Sequence, residues 1–375
     1  MLVMYYIFLS IFLIYACGAA IITVRVKEKN EIVLYSVFLF ALSLLFAIRP
    51  SVVPDFSSYQ RIFFSINPSI NYQPNLLKRE PTTDTEYGFV GLVLLFKYIF
   101  GENYRLFLFL IAIISLHIST VYIKKIVLLI EPNSKISSTI ILLLFFPYYG
   151  MYYQGIAIRG GIAVMFIIIT LYYYIQKRYI FAFGAMFLGF IVQRMTILAI
   201  LVCFIYRYFP AFKKKTYHFI SLLMIVAAIA CNVTQGKILL PIYELMSVIL
   251  TKIFTVIDYS GYLSRADISR IVDKKRLFVL FVFAGLLFFI QEQEIAVKKL
   301  LNLVLVSSLL IFATLSITGS ERIYDLFSCF SVVVLAIEMS KINTKFPKWS
   351  IHLFSIMYMM ANFVIAVRIW MYPHA

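Results

Sequence analysis

The sequence predicts an all-α integral membrane protein: a polytopic bundle of about 12–13 transmembrane helices with two longer external loops. Three observations predict it. Hydrophobic residues are 63% of the 375 positions and charged residues 14%, against roughly half and a quarter in soluble domains. Apolar runs of about 20 residues, each long enough to cross hydrocarbon as a helix, recur from end to end. Basic residues punctuate the short turns between these runs, the pattern that sets membrane topology. A soluble core cannot absorb such an apolar excess in a chain of this length, because too much of a small sphere is surface.

The spans fall at about 2–24, 32–49, 106–124, 136–151, 156–176, 179–192, 195–209, 217–234, 276–291, 299–318, 322–340 and 350–369. The first lacks a basic leader and a small-residue cleavage site, so it is read as a retained span. Alternate turns hold Arg25-Lys27-Lys29, Lys124-Lys125-Lys135, Lys177-Arg178, Lys213-Lys214-Lys215, Lys298-Lys299 and Lys341-Lys345-Lys348. The positive-inside rule puts these turns in the cytoplasm and both termini outside. Basic residues around 97–105 on the outer side run against that rule. Segment 87–100 is apolar but short, and re-entrant, surface-lying and spanning readings stay open.

Two external segments exceed a turn. Residues 50–86 carry Pro54, Pro68, Pro74 and Pro81, which exclude one long helix. Residues 235–275 hold an apolar stretch, Ile238 to Ile257, interrupted by Glu244 and Lys252 and suited to the interface. A mixed-charge run with Arg265, Asp267, Arg270 and Asp273 follows it. Spans 179–192 and 195–209 are short, so their hinge, Gln193-Arg194, is expected below the outer surface, facing a cavity. There is no repeat of fixed period and no separate soluble core, so residues 1–375 read as one membrane domain.

Composition and motifs narrow the chemistry. The net charge of +17 follows from topology and anionic lipid rather than from nucleic acid. The four cysteines form no CxxC and no evident disulfide framework. Neither GxxxxGK[ST] nor GxGxxG occurs, which argues against a nucleotide-driven pump, and no GxSxG elbow or HExxH is present. Asp84-Thr85-Glu86 resembles an acidic metal-binding triplet, but two acids two apart arise readily by chance; no metal site and no cofactor are expected. Few acids lie inside the spans, which weighs against proton-coupled transport.

The polar residues that stand out share the expected outer face. Asp55 follows Pro54, where a helix N-cap is the plainer role. Glu86 opens Glu86-Tyr87-Gly88-Phe89, where an acid is favoured by the helix dipole. Arg159 and Arg194 lie within or between apolar runs and must face protein, a wet cavity, or the interface by snorkelling. Arg322 stands between Glu321 and Asp325, so a local ion pair is its simplest role. Arginines and a few carboxylates at one end suit a pyrophosphate-bearing lipid and a hydroxyl acceptor: Arg grips phosphate oxygens bidentately, and a carboxylate accepts a sugar hydroxyl proton.

Pro54-Asp55-Phe56-Ser57-Ser58-Tyr59, Glu86-Tyr87-Gly88-Phe89, Ile158-Arg159-Gly160-Gly161-Ile162-Ala163 and Val192-Gln193-Arg194-Met195-Thr196 occur in that order. The order resembles the EpsG-like group of polysaccharide polymerases, which includes many Wzy-type O-antigen and capsule polymerases. The resemblance covers about residues 1–210 and carries over Asp55, Tyr59, Glu86 and Arg159. Phe56, Gly160 and Gln193-Arg194 depart from the family's Thr, Gln and Phe-His, so no role for a motif histidine carries over.

The resemblance implies a fold like the C-type glycosyltransferases and a nucleotide-independent glycosyl transfer at the periplasmic face of a bacterial inner membrane. A glycan would pass from undecaprenyl pyrophosphate to the non-reducing end of a lipid-linked repeat unit, with membrane lipid and a chain-length regulator protein as partners. Asp55 is then the first candidate for the base and Glu86 the second. Tyr59, Arg159, Arg194, Arg265, Arg270 and Arg322 are the candidate substrate contacts. A lipid-linked oligosaccharide flippase or other transporter, and a glycosyltransferase using a polyprenyl-phosphate sugar, are the alternatives.

Overall fold

The computed structural model describes residues 30–49, 55–66, 79–80, 85–154, 157–234, 244–245, 248, 252, 274–289, 294–313, 326–340, 355–359 and 362. The first predicted span lies outside the described residues, as do Asp84, Arg265, Arg270, Glu321, Arg322 and Asp325. The chain divides into two compact units, residues 1–199 with 339–375, and residues 200–338.

The first unit is built on long apolar helices. α1 (Glu31–Ala47) runs antiparallel to α4 (Tyr104–Ile130). Tyr35 meets His117, Phe40 meets Phe109, and the carbonyl of Ala47 meets Arg105, so the pairs step in opposite directions along the two helices. α4 continues through Lys124 and Lys125, which the sequence reading places in a turn. The lysine tips are held, so the helix need not stop. Lys124 reaches Glu31 at 3.4 Å and Ser138 at 3.0 Å, and Lys125 sits 4.6 Å from the Tyr122 ring centre. The actual turn is 131–137, at the end where Lys177 and Arg178 also lie.

α5 (Ser138–Phe145) returns from that end and becomes a π-helix, Phe146–Gln154, where a uniform span is expected. Pro147 is the local cause: it lacks an N–H and crowds the preceding turn, which a wider helix relieves. Phe145, Tyr149 and Tyr153 stack along it, four residues apart. α6 (Ile158–Ile175) then runs parallel to α4, with Tyr173 beside Tyr122. α7 (Tyr179–Val192), whose bounds match the predicted span, runs back against α6, placing Phe181 on Tyr173 and Gly189 near Phe166. A 3-10 turn, Arg194–Leu198, leads into α8 (Ala199–Tyr208). The starts of α4 and α6 and the ends of α1 and α7 therefore share one end of this unit.

Two short helices lie at that end. α2 (Phe56–Ser65) and α3 (Tyr87–Phe100) run side by side, Tyr59 against Phe89 and Phe63 against Phe96. Phe89 and Phe96 both touch Phe107, one turn into α4. The start of α3 meets α6 at Arg159, and its last turn meets Ile66 through Lys97. Both of its ends thus lie at the shared end, and α3 crosses the bundle there instead of spanning. Its 14 residues cover about 21 Å, short of a hydrocarbon core of about 30 Å. A two-residue antiparallel pairing, β1 (Arg79–Glu80) with β2 (Thr85–Glu86), leads directly into α3.

The second unit is pinned by buried polar contacts. In it α9 (Lys214–Val233) packs on α10 (Lys274–Phe289), and α10 on α11 (Ile295–Ala313). The Tyr217 hydroxyl donates to the Lys298 carbonyl at 2.9 Å and bonds Asn302 at 2.8 Å; Ser221 donates to the Ala284 carbonyl at 2.6 Å. In α12 (Phe330–Ser340), residues Phe330–Glu338 are buried on every side, the signature of a core helix. Among the described residues three helices, α4, α6 and α11, are long and apolar enough to cross a membrane. The protein is an all-α membrane protein.

Candidate functional site

The site forms where α2, α3 and α6 begin or pass at the shared end. Glu86 caps α3 from an extended backbone and makes no side-chain capping bond. Its carboxylate instead pairs with the guanidinium of Arg159, the second residue of α6. The Glu86 side chain is 3% exposed and that of Arg159 16%. A cation in an apolar run has to be compensated, and here the acid comes from 73 residues earlier in the chain. The second oxygen of Glu86, Oε1, is buried and makes no hydrogen bond among the described residues.

Tyr59 closes the other side. The Arg159 guanidinium lies 5.9 Å from its ring centre, within cation–π range. The Arg159 amide donates to the Tyr59 hydroxyl at 3.5 Å. Phe89 backs the Tyr59 ring edge-on at 5.9 Å. Three of the four residues expected from the family motifs, Tyr59, Glu86 and Arg159, are thus in direct contact. The fourth, Asp55, is one turn away, its carbonyl accepting from the Tyr59 amide at 2.9 Å.

Asp55 occupies the N-cap position of α2, but its side chain makes no capping bond. Its backbone has φ 60, in the left-handed region, which Asp tolerates better than most residues at some cost in strain. The capping role offered by the sequence is not the one this carboxylate plays.

Two glycines explain the motifs around the ion pair. A Cβ on Gly88 would fall 2.6 Å from the Ile191 carbonyl oxygen, so only glycine lets α3 sit directly on the end of α7. A Cβ on Gly160 would fall 2.6 Å from the Tyr153 ring, so glycine lets that ring approach the start of α6.

Arg194 opens the 3-10 turn, half-buried, after an extended and buried Gln193. Gly189 packs beside Phe166, two turns into α6. One further turn of α7 then brings Gln193 to a level still roughly 6 Å short of the start of α6. The hinge is recessed, as its short flanking helix requires, and it neighbours the ion pair through the Gly88–Ile191 contact.

The sequence reading assigns no role to Arg49 and Arg105, yet they form a second polar feature at this end. Arg49 is 1% exposed, and its guanidinium carbon lies 5.3 Å from the Phe56 ring centre. That of Arg105 lies 5.0 Å from the same ring. Arg105 Nη1 donates to the carbonyls of Ala47 and Arg49, each at 2.6 Å. The available signal was the basic excess near 97–105, which the positive-inside rule leaves unexplained. Lys97 belongs to the same excess, but it is spent on structure: it donates to the Ile66 carbonyl at 2.7 Å and pairs with Glu102 at 3.2 Å.

Apolar spans enclosing a buried acid–arginine pair and an aromatic wall define an integral membrane protein with a polar site at one end of its helices. The chain belongs to the EpsG family, whose model matches residues 32–374, and is therefore a polysaccharide polymerase-like membrane protein. Comparison with curated proteins and with solved structures returns no match.

Proposed function

We propose that this protein polymerises a polysaccharide, moving a growing glycan from undecaprenyl pyrophosphate to the non-reducing end of a lipid-linked repeat unit at the periplasmic face of the bacterial inner membrane. The observation that carries the reading is the meeting of Tyr59, Glu86 and Arg159 at one end of the bundle, beside Asp55.

In this reading the acceptor hydroxyl attacks the anomeric carbon of the donor. The bond from that carbon to the pyrophosphate oxygen breaks, its electron pair leaves with undecaprenyl pyrophosphate, and the hydroxyl proton passes to Asp55. Arg159 faces the charge that grows on the leaving group, with Arg194 contributing from the recessed hinge. Glu86 acts here as the group that holds Arg159 in place, rather than as the reserve base suggested by sequence alone. Arg265, Arg270 and Arg322 remain candidate contacts for the rest of the glycan. The broken bond between sugar and pyrophosphate supplies the energy, in keeping with the missing phosphate-binding loops.

The test is glycan length on the lipid carrier in the native host after gene deletion, with variants returned in trans. Deletion should leave single repeat units on the outer leaflet, and the wild-type gene should restore a ladder. Asp55→Asn, which keeps the shape of the carboxylate but cannot take a proton, should reach the membrane at normal level and leave single units. Units trapped on the inner leaflet would identify a flippase, and units lacking one sugar a single-sugar transferase. Either outcome overturns the reading.

A further inference from the structure

Two cavities at the shared end of the first unit meet at two residues. The first, about 580 Å³, is a groove between α1 and α4 walled by Phe40, Leu44, Ile48, Leu106 and Phe109. Phe40, Leu44 and Ile48 are among the exposed apolar side chains, so the groove opens sideways toward lipid. The second, about 720 Å³, is more polar, bordered by Phe56, Gln60, Glu102 and Tyr104. Arg105 and Asn103 line both.

We infer that the lipid carrier of the acceptor repeat unit docks here, with its isoprenoid chain in the α1–α4 groove, its phosphates at Arg105 and its first sugars in the polar cavity. The identity of the lipid rests on the polymerase reading; the location rests on charge and shape. A guanidinium at the mouth of a lipid-facing apolar groove suits an amphiphile with an anionic head. Arg105 uses Nη1 on two carbonyls that end α1, an ordinary capping role. Its other nitrogens make no hydrogen bond among the described residues. Arg49, on the same Phe56 ring, adds positive charge behind it. The acid in the polar cavity, Glu102, is already engaged by Lys97 and does not cancel Arg105. Phe56 borders the polar cavity and directly follows Asp55, so sugars in that cavity would lead from the phosphates toward the proposed base.

The test uses the full chain in phosphatidylcholine nanodiscs and a diazirine-bearing farnesyl pyrophosphate, with peptide mapping of the crosslinks. Diazirine-farnesol serves as the headless comparison and inorganic pyrophosphate as the tailless competitor. Label should fall within residues 40–48 and 103–109. Arg105→Ala should lower it about tenfold, the loss of roughly one charge-assisted contact, and Leu44→Trp, which fills the groove from an exposed position, should lower it about as much by taking the isoprenoid's place. Arg105→Lys should fall between. Ile32→Trp, exposed on α1 but outside the groove, should change nothing.

Equal labelling by the farnesol probe, or no effect of Leu44→Trp, would overturn the proposal. So would displacement by inorganic pyrophosphate at the same concentration as by unlabelled farnesyl pyrophosphate, since the groove would then contribute nothing. Chain extension by the same variants in cells separates the two readings. A wild-type protein that labels as expected but never extends glycan loses the polymerase reading alone. One that extends glycan without groove-dependent labelling loses the docking site alone.

Discussion

Replacing Glu86 by Gln takes the charge from a carboxylate that is 3% exposed and deprives Arg159 of its acid. Breaking a fully buried ion pair from one side costs about 3–5 kcal/mol. Arg159 is 16% exposed, and a Gln oxygen can still accept from the guanidinium, so the expected loss for Glu86→Gln is about 2 kcal/mol. Arg159→Gln leaves a carboxylate in a nearly dry place and should cost more, about 3 kcal/mol. In the double variant two amides face each other, no net charge is stranded, and the total should again be about 2 kcal/mol instead of the additive 5. The assay is unfolding of purified protein in micelles, followed by circular dichroism against sodium dodecyl sulfate. A double variant whose loss equals the sum of the singles within about 0.5 kcal/mol would refute the coupling. The double variant should fold better than Arg159→Gln yet make no polymer, which separates stability from chemistry.

Four further outcomes follow from the same geometry. Gly88→Ala should cost at least about 2 kcal/mol, because its methyl would lie 2.6 Å from the Ile191 carbonyl oxygen. On the same helix Gly91→Ala, with nothing within 4 Å of the added carbon, should gain up to about 1 kcal/mol; melting temperatures compare the two. Asp55→Gly, freed of left-handed strain, should be at least as stable as wild type by about 0.5 kcal/mol in the same unfolding assay, while polymer length drops to single units. For orientation, a cysteine at Ser58 should react with an impermeant maleimide from outside, and one at Asn133 only after permeabilisation; the reverse order inverts the topology.

Much of the fold was legible because spans announce themselves by length and apolarity, and the bounds of α7 are those expected from its composition. What escaped was whatever depends on a partner distant in sequence. The turn at Lys124-Lys125 was misplaced because charge alone marks a turn, whereas Glu31, Ser138 and an aromatic face let those lysines stay in α4. The π-helix at Phe146–Gln154 has an apolar profile like any helix; only Pro147 hints at it. At the site, motif order picked out Tyr59, Glu86 and Arg159, but nothing local to any of them reveals that acid and arginine meet. Arg49 and Arg105 were passed over because they sit at span ends, where basic residues are ordinarily read as topology signals.

The ion pair also orders events during synthesis. The carboxylate of Glu86 leaves the ribosome 73 residues before Arg159, roughly 4–15 s at usual elongation rates. An arginine entering the membrane without a partner is costly, whereas a lone acid at the end of a short helix can wait in the aqueous interface. Acid first and arginine second is therefore the inexpensive order of assembly. A chain cut between Asn103 and Ala157 and expressed as two pieces would lose that sequence of arrival, and α6 would have to find its counterion by diffusion within the bilayer.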